Sequence, residues 1–226
     1  MAVDNDQDLP FASGIHDLIF TTETGATMRY SLSVPAQIPR NGTQVLALVL
    51  HYGGQPSGFY GHALVEQLVQ PALAALDAVM VAPVSLKGDW TTADNEQAVF
   101  GLLAKVEQYY NTDPTRRLIT GYSMGGAGTW HMVAQYPEYF AAAVSISGFK
   151  PMLKPNYKTP IYGLLSRTDS IFDPVELRGL IDSLVSGGCN AKVDFIDDVD
   201  HYNIPAFAPL LESTVPWLQE IWGNRT

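Results

Sequence analysis

Arg117-Leu118-Ile119-Thr120-Gly121-Tyr122-Ser123-Met124-Gly125-Gly126-Ala127-Gly128-Thr129-Trp130 is the stretch from which the rest of the chain is read. Leu118 and Ile119 have the apolar character of a buried strand, and residues 124–136 have the composition of a helix. Between them lies Gly121-Tyr122-Ser123-Met124-Gly125, a G-x-S-x-G pattern. Strand, sharp turn and helix form the setting in which this pattern holds a serine at the tip of a strained turn. The flanking glycines remove side chains that would collide where the chain doubles back. Ser123 Oγ is then expected above the sheet, with the Met124 N–H and the positive end of the helix beside it. That arrangement suits a developing oxyanion. A plain Gly-Ser turn has the same letters, so the remainder of the chain decides between the two.

The chain of 226 residues is expected to form a single domain, residues 1–226, with a sizeable core. Its 13 basic and 23 acidic residues give a formal net charge of −10. A nucleic-acid binder needs a basic stripe, so that class is excluded. No window approaches a membrane-spanning length. Cys189 is the single cysteine, which excludes an intrachain disulfide and a cysteine metal cluster. Residues 1–8 are acidic and lack the apolar core of a signal peptide, so a cytoplasmic location is the expectation, a signal already removed being the alternative.

Segment types alternate along the chain. Residues 15–20 and 27–34 read as strands joined by a turn at Thr24-Gly25. Residues 45–50 are continuously apolar, as befits a strand covered on both faces. Residues 63–76 read as helical, with Pro71 opening a second short helix. A strand at 78–82 follows, then a helix with Asp94 as N-cap and Gln97 at the capping-box position. Beyond Ser123, strands are expected at 141–146, 161–165 and 191–196, and a helix at 174–186. Residues 205–222 read as helical in parts, broken by Pro209 and Pro216. This order predicts a mostly parallel sheet with helices on both faces, preceded by an antiparallel hairpin.

A serine hydroxyl becomes a useful nucleophile only when a base takes its proton, and an acid must orient that base. On this architecture the chain order is Ser, then Asp or Glu, then His. Of His16, His51, His62, His131 and His201, only His201 lies beyond the last strand, at its carboxyl end. The loop after residues 161–165 offers Asp169 and Asp173. Asp173 precedes Pro174 and reads as the N-cap of the next helix, which leaves Asp169 as the favoured acid. Asp197, Asp198 and Asp200 stand too near His201 in sequence to reach its ring and read as a solvated acidic turn. A second oxyanion donor is expected from His51-Tyr52-Gly53-Gly54-Gln55, the loop after residues 45–50.

With these pieces in place the chain resembles the α/β-hydrolase superfamily. It is most similar to compact bacterial esterases related to polyhydroxybutyrate depolymerases, feruloyl esterases and the so-called predicted peptidases. The likeness runs from about Val45 to His201 and is sharpest at 121–130, continuing into Tyr136-Pro137 and 141–148. It implies Ser123 as nucleophile, Asp169 as orienting acid, His201 as base, and oxyanion donors at Met124 and Gly53. The family's loop begins His-Gly; here Tyr52 replaces that glycine, and its own N–H is the alternative donor. The family's acid loop often continues to Val-Pro, which Asp169-Ser170-Ile171-Phe172-Asp173 matches loosely. Many relatives insert a helical cap where this chain has only residues 149–160, so an open cleft without a cap is expected. Candidate wall residues are Tyr52, Phe59, Tyr60, Trp90, Phe149, Phe172 and Tyr202.

The expectation is a serine carboxylic-ester hydrolase. It would act through an acyl-enzyme on short-chain or small aromatic acyl esters, with a small-molecule substrate and without metal or cofactor. A peptidase, an acyltransferase and a catalytically silent binding module on the same fold are the alternatives. Dienelactone hydrolases share the fold but normally use a cysteine, and here the elbow carries Ser123.

Overall fold

A computed structural model describes residues 8–38, 43–150 and 157–223. Residues 1–7, on which the reading of the N-terminus rests, lie outside the described residues, as do 151–156 in the segment where a cap would insert. Strands β1 (Gly14–Thr21) and β2 (Thr27–Val34) form the antiparallel hairpin, turning at Gly25 with φ +82°. Next come β3 (Gln44–Leu50) and a helical run of α1 (His62–Leu64), a π-helical turn (Val65–Val69) and α2 (Gln70–Ala72). Strand β4 (Val79–Pro83), helix α3 (Ala93–Tyr110), strand β5 (Thr112–Tyr122) and helix α4 (Met124–Gln135) follow. The chain closes with β6 (Ala142–Ile146), β7 (Ile161–Ser166), α5 (Pro174–Ser186), β8 (Ala191–Ile196), α6 (Ala208–Glu212) and α7 (Val215–Gly223). Among the described residues no helix is long and apolar enough to cross a membrane.

The eight strands form one sheet in the order β1-β2-β4-β3-β5-β6-β7-β8. From β4 to β8 all neighbours run parallel; β2 joins β4 antiparallel. Strand β3 shows why both faces are covered, since its seven residues are all buried and alternate between two cores. Leu46, Leu48 and Leu50 pack with α3, α4 and α5, whereas Val45, Ala47 and Val49 pack with α1, α2, α6 and α7. After β3 the chain lays β4 on one side, then returns to place β5 on the other. The crevice outside the carboxyl ends of β3 and β5 is therefore the switch point, where open parallel sheets place ligand sites.

Two local expectations are corrected and one is met. Asp94 is not the N-cap: α3 begins at Ala93, Thr92 is the extended cap residue, and Asp94 lies in the first turn, where its charge still suits the helix dipole. The neighbouring Asn95 is drawn into the preceding loop, its Oδ1 accepting from Leu86 N–H and its Nδ2 donating to the Lys87 and Asp89 carbonyls. Pro71 lies in the first turn of α2, the second short helix expected there. The run passes through it from His62 to Ala72, because the turn before it widens to π geometry, with Gln70 N–H reaching Val65 O. Pro209 and Pro216 likewise sit in the first turns of α6 and α7, and the break falls between those helices.

Helix α4 lies unusually close to the sheet. A Cβ on Gly125 would collide with the Leu50 carbonyl, and one on Gly121 with the carbonyl of Gly125. At Gly128 a Cβ would stand 2.6 Å from Trp90 Cβ and 2.9 Å from its Cγ. Alanine at a helical glycine normally gains about 1 kcal/mol. Trp90, however, is fully buried and cannot move aside, so overpacking decides the sign. Gly128→Ala is expected to lower stability by about 1–3 kcal/mol, read as a lower urea midpoint at unchanged m-value.

Candidate active site

Ser123 occupies the turn between β5 and α4 with φ +53° and ψ −114°, a backbone conformation rarely adopted by a residue with a side chain. Its N–H donates to Ile146 O at 2.9 Å, and its carbonyl accepts from Ala127 N–H at 2.9 Å, so the turn is fixed on both sides. His201 comes from the loop after β8 and is buried, as is the Asp169 side chain. Its Nε2 lies 3.0 Å from Ser123 Oγ and its Nδ1 2.8 Å from Asp169 Oδ2. The second Asp169 oxygen accepts from the N–H groups of Ile171 and Phe172, each at 2.9 Å. Burial by itself would raise the Asp169 carboxyl. The bonds from His201, Phe172 and Ile171, together with the His201 charge, outweigh it and hold the group below the usual carboxylate range. The structure thus brings Ser123, His201 and Asp169 together in one line.

Asp173 does the work of an N-cap instead, its Oδ1 accepting from Val175 N–H at 2.8 Å. Asp197 pairs with Arg167 at 2.9 Å, and Asp200 accepts from Tyr202 N–H. The other histidines are engaged elsewhere: His16 with Ala12 O, His62 with Asp17, and His131 with Glu96. His51 is fully buried in the loop after β3.

That loop is held by three consecutive carbonyls. Trp90 Nε1 donates to His51 O at 2.9 Å, His51 Nδ1 to Tyr52 O at 2.7 Å, and the Tyr60 hydroxyl to Gly53 O at 3.2 Å. A trans peptide sets its N–H opposite its carbonyl, so fixing Tyr52 O onto His51 turns the Gly53 N–H away from that ring. Gly53 lines the cleft with Ser123 and lies against the Met124 side chain. Among the described residues neither the Gly53 N–H nor the Met124 N–H has a hydrogen-bond acceptor. Two amides without a partner beside a serine hydroxyl are what a developing oxyanion requires.

The cleft has a volume of about 530 Å³ and is lined by Tyr52, Gly53, Gly54, Tyr122, Ser123, Ile171, His201, Tyr202 and Ile204. Tyr52 and Tyr202 are on its wall, as expected from the sequence. Trp90 is not: it is buried beneath the loop, its ring edge-on to His51 at 4.8 Å. Phe172 stands behind the cleft, between His201 at 5.9 Å and the buried Phe149 at 5.5 Å. Tyr60 packs on His51. Ile171 and Ile204 escape the sequence reading, which considered only aromatic loop residues; their proximity to Asp169 and His201 was the available signal. Among the described residues no cluster of His, Cys, Asp and Glu is arranged to hold a metal ion.

The sheet order, the switch-point crevice and the strained serine between β5 and α4 define the α/β-hydrolase fold. Residues 87–223, more than half of the chain, match the model of the Esterase family, described as "Putative esterase", and the chain belongs to that family. A "Probable feruloyl esterase C" of Aspergillus niger is 23% identical over 176 residues, which cover 75% of this chain and 56% of that protein. The chain therefore spans little more than half the length of this curated relative. A thermostable esterase of known structure superposes with a TM-score of 0.75 at 23% identity, covering 91% of this chain and 62% of that one. A Xanthomonas campestris structure described as an α/β serine hydrolase without lid gives 0.69 at 15% identity, covering 94% and 98%.

His51 carries a pH consequence. Nε2 accepts from Ser85 N–H at 3.1 Å while Nδ1 donates to Tyr52 O, so both bonds require the neutral ring. Burial pushes its pKa down to about 4, against the pull of the Tyr52 carbonyl. Between that value and the unfolded value near 6.5, the unfolded chain binds a proton that the folded chain refuses. The contribution is complete above about pH 6.5 and is lost as the pH falls towards 4. Urea unfolding between about pH 7.5 and pH 4 should show His51 accounting for about 3 kcal/mol of lost stability, a component missing from His51→Gln.

Proposed function

We propose that the protein hydrolyses carboxylic esters through an acyl-enzyme formed on Ser123. The observation that carries this reading is the hydrogen-bonded line from Ser123 Oγ through His201 to Asp169, at 3.0 and 2.8 Å. Ser123 Oγ attacks the ester carbonyl while His201 Nε2 takes its proton. The Met124 and Gly53 N–H groups stabilise the oxyanion. His201 then returns the proton to the leaving alcohol, and the acyl-enzyme remains. A water molecule, deprotonated by the same nitrogen, attacks that acyl-enzyme; the bond from the acyl carbon to Ser123 Oγ breaks, Oγ takes the proton back from His201, and the acid is released. Asp169 keeps the proton of His201 on Nδ1, leaving Nε2 free to accept. Membership of the Esterase family supports the ester as substrate class. The relative named as a feruloyl esterase supports including small aromatic acyl groups.

Ser123→Ala is expected to lower kcat for p-nitrophenyl acetate by about 10⁶ with the fold intact; a tenth of wild-type activity in the folded variant would refute the nucleophile. Asp169→Asn should cost on the order of 10⁴ in kcat, because the wrong histidine tautomer is then held. Asp173→Asn, with an equally good cap residue, should change kcat little, and the reverse ranking would move the role to Asp173.

Substrate length follows from the surroundings of the serine. Each methylene taken out of water contributes about 0.8 kcal/mol. A cleft of about 530 Å³ walled by side chains as exposed as Tyr202 and Ile171 offers no tunnel for a long tail. Along a p-nitrophenyl ester series, kcat/KM is expected to peak between acetyl and butyryl and to fall beyond about six carbons. No jump in rate at an oil–water interface is expected. A profile rising steadily to long chains would contradict the open site.

A further inference from the structure

Beside the cleft lies a second hollow of about 380 Å³; Gly54 lines both, and Met124, the residue after Ser123, lines the hollow. Its far wall carries Arg29 on β2 and Lys87 in the loop after β4, with Thr27 and Ser85 between, and no carboxylate lines it. Elsewhere four basic residues pair closely with carboxylates, Arg116 with Asp113, Arg117 with Glu107, Lys158 with Glu138, and Arg167 with Asp197, while Arg178 and Lys192 lie over aromatic rings. Among the described residues Arg29 and Lys87 have no such partner. In a chain of net charge −10 this hollow is a local reversal of sign.

The hollow is also built rather than incidental. Ser85 N–H is fixed on the buried His51, and the buried Asn95 holds Leu86 N–H and the Lys87 carbonyl. The backbone from which Lys87 projects is thus tied to the loop that carries Gly53.

Sheet order gives the direction in which a substrate would enter it. His201 and Asp169 come from β8 and β7 on one side of β5; Arg29 and the Lys87 loop belong to β2 and β4 on the other. A leaving oxygen must lie against His201 Nε2, and the carbonyl oxygen must turn to the Gly53 and Met124 amides. The remaining substituent on the carbonyl carbon, the acyl chain, is then directed over Gly54 and Met124 into the hollow.

We propose that this hollow takes a carboxylate carried by the acyl group, so that half-esters of short dicarboxylic acids are preferred over neutral esters. The proposal rests on the ester-hydrolase reading above. Its test compares monoethyl glutarate with ethyl pentanoate, matched in length, by titrating the acid released at about pH 7.5, where the free carboxyl is ionised. A control pair, 4-acetoxybutyrate against butyl acetate, puts the charge on the alcohol side instead.

The half-ester should have a kcat/KM about tenfold higher than its neutral match, corresponding to about 1.4 kcal/mol. The preference should shrink between about 20 and 500 mM NaCl, because the two cations are exposed to screening. In the double variant Arg29→Gln/Lys87→Gln the ratio should fall to about one. Both side chains are exposed, so its unfolding midpoint should match the wild type. The salt series on the wild-type chain tests the same charge interaction if the variant does not fold. The control pair should show no preference. Turnover of ethyl pentanoate with a wild-type ratio near one, a ratio unchanged in the folded double variant, or a preference confined to 4-acetoxybutyrate would each overturn the proposal alone. Absence of turnover of all four esters would overturn the ester-hydrolase reading, and this inference with it.

Discussion

Helix α4 meets strand β3 with no side chain between them, and the rest of the site depends on that contact. Gly125 leaves room for the Leu50 carbonyl, and Gly148 does the same beneath the Ser123 carbonyl. Any Cβ at these places would push the helix outward and carry Ser123 with it. The backbone at Ser123 is strained, at an order of 1–3 kcal/mol for such a conformation. It persists because both of its peptide groups are hydrogen-bonded and the helix behind it is wedged against buried leucine and tryptophan side chains.

Two buried histidines illustrate how partners, more than burial, decide what a group can do. His51 has both ring nitrogens committed, one to a backbone carbonyl and one to a backbone N–H. It can neither give nor take a proton without releasing the loop that it holds. His201 has a carboxylate on one side and a hydroxyl on the other. A proton arriving at Nε2 is therefore balanced by Asp169, and the ring can cycle between its two states.

Much of this was legible in the sequence, for identifiable reasons. Continuous apolar runs such as residues 45–50 have few alternatives in a chain of this length, and the alternation of strands and helices points to a mostly parallel sheet, although not to its strand order. Asp169 was separable from Asp173 because Asp-Pro at a helix start has its own physical signature. The parts missed depend on contacts remote in sequence. Trp90 looked like a cleft aromatic, but its indole N–H is required 39 residues away, at the His51 carbonyl. The hydrogen bonds that hold residues 51–53 come from Trp90, Tyr60 and His51 itself, and no spacing rule announces them. At the start of α3, Asp94 scored as a cap on local grounds, whereas Asn95 has tertiary partners.

The position of β8 has a further meaning. It is the outermost strand, paired on one side only, yet the loop that follows it carries His201. Ser123, by contrast, belongs to the centre of the sheet. Two anchors restrain the loop from within: the Tyr122 hydroxyl donates to the His201 carbonyl at 2.7 Å, and the buried Phe207 stacks edge-on against the Tyr122 ring. Edges fray before centres, since fewer cooperative contacts must be broken to open them. The pairing of Ser123 with His201 is thus only as durable as the margin of the molecule. A chain that has lost this pairing can still be largely folded, with its central strands, its elbow and most of its secondary structure in place.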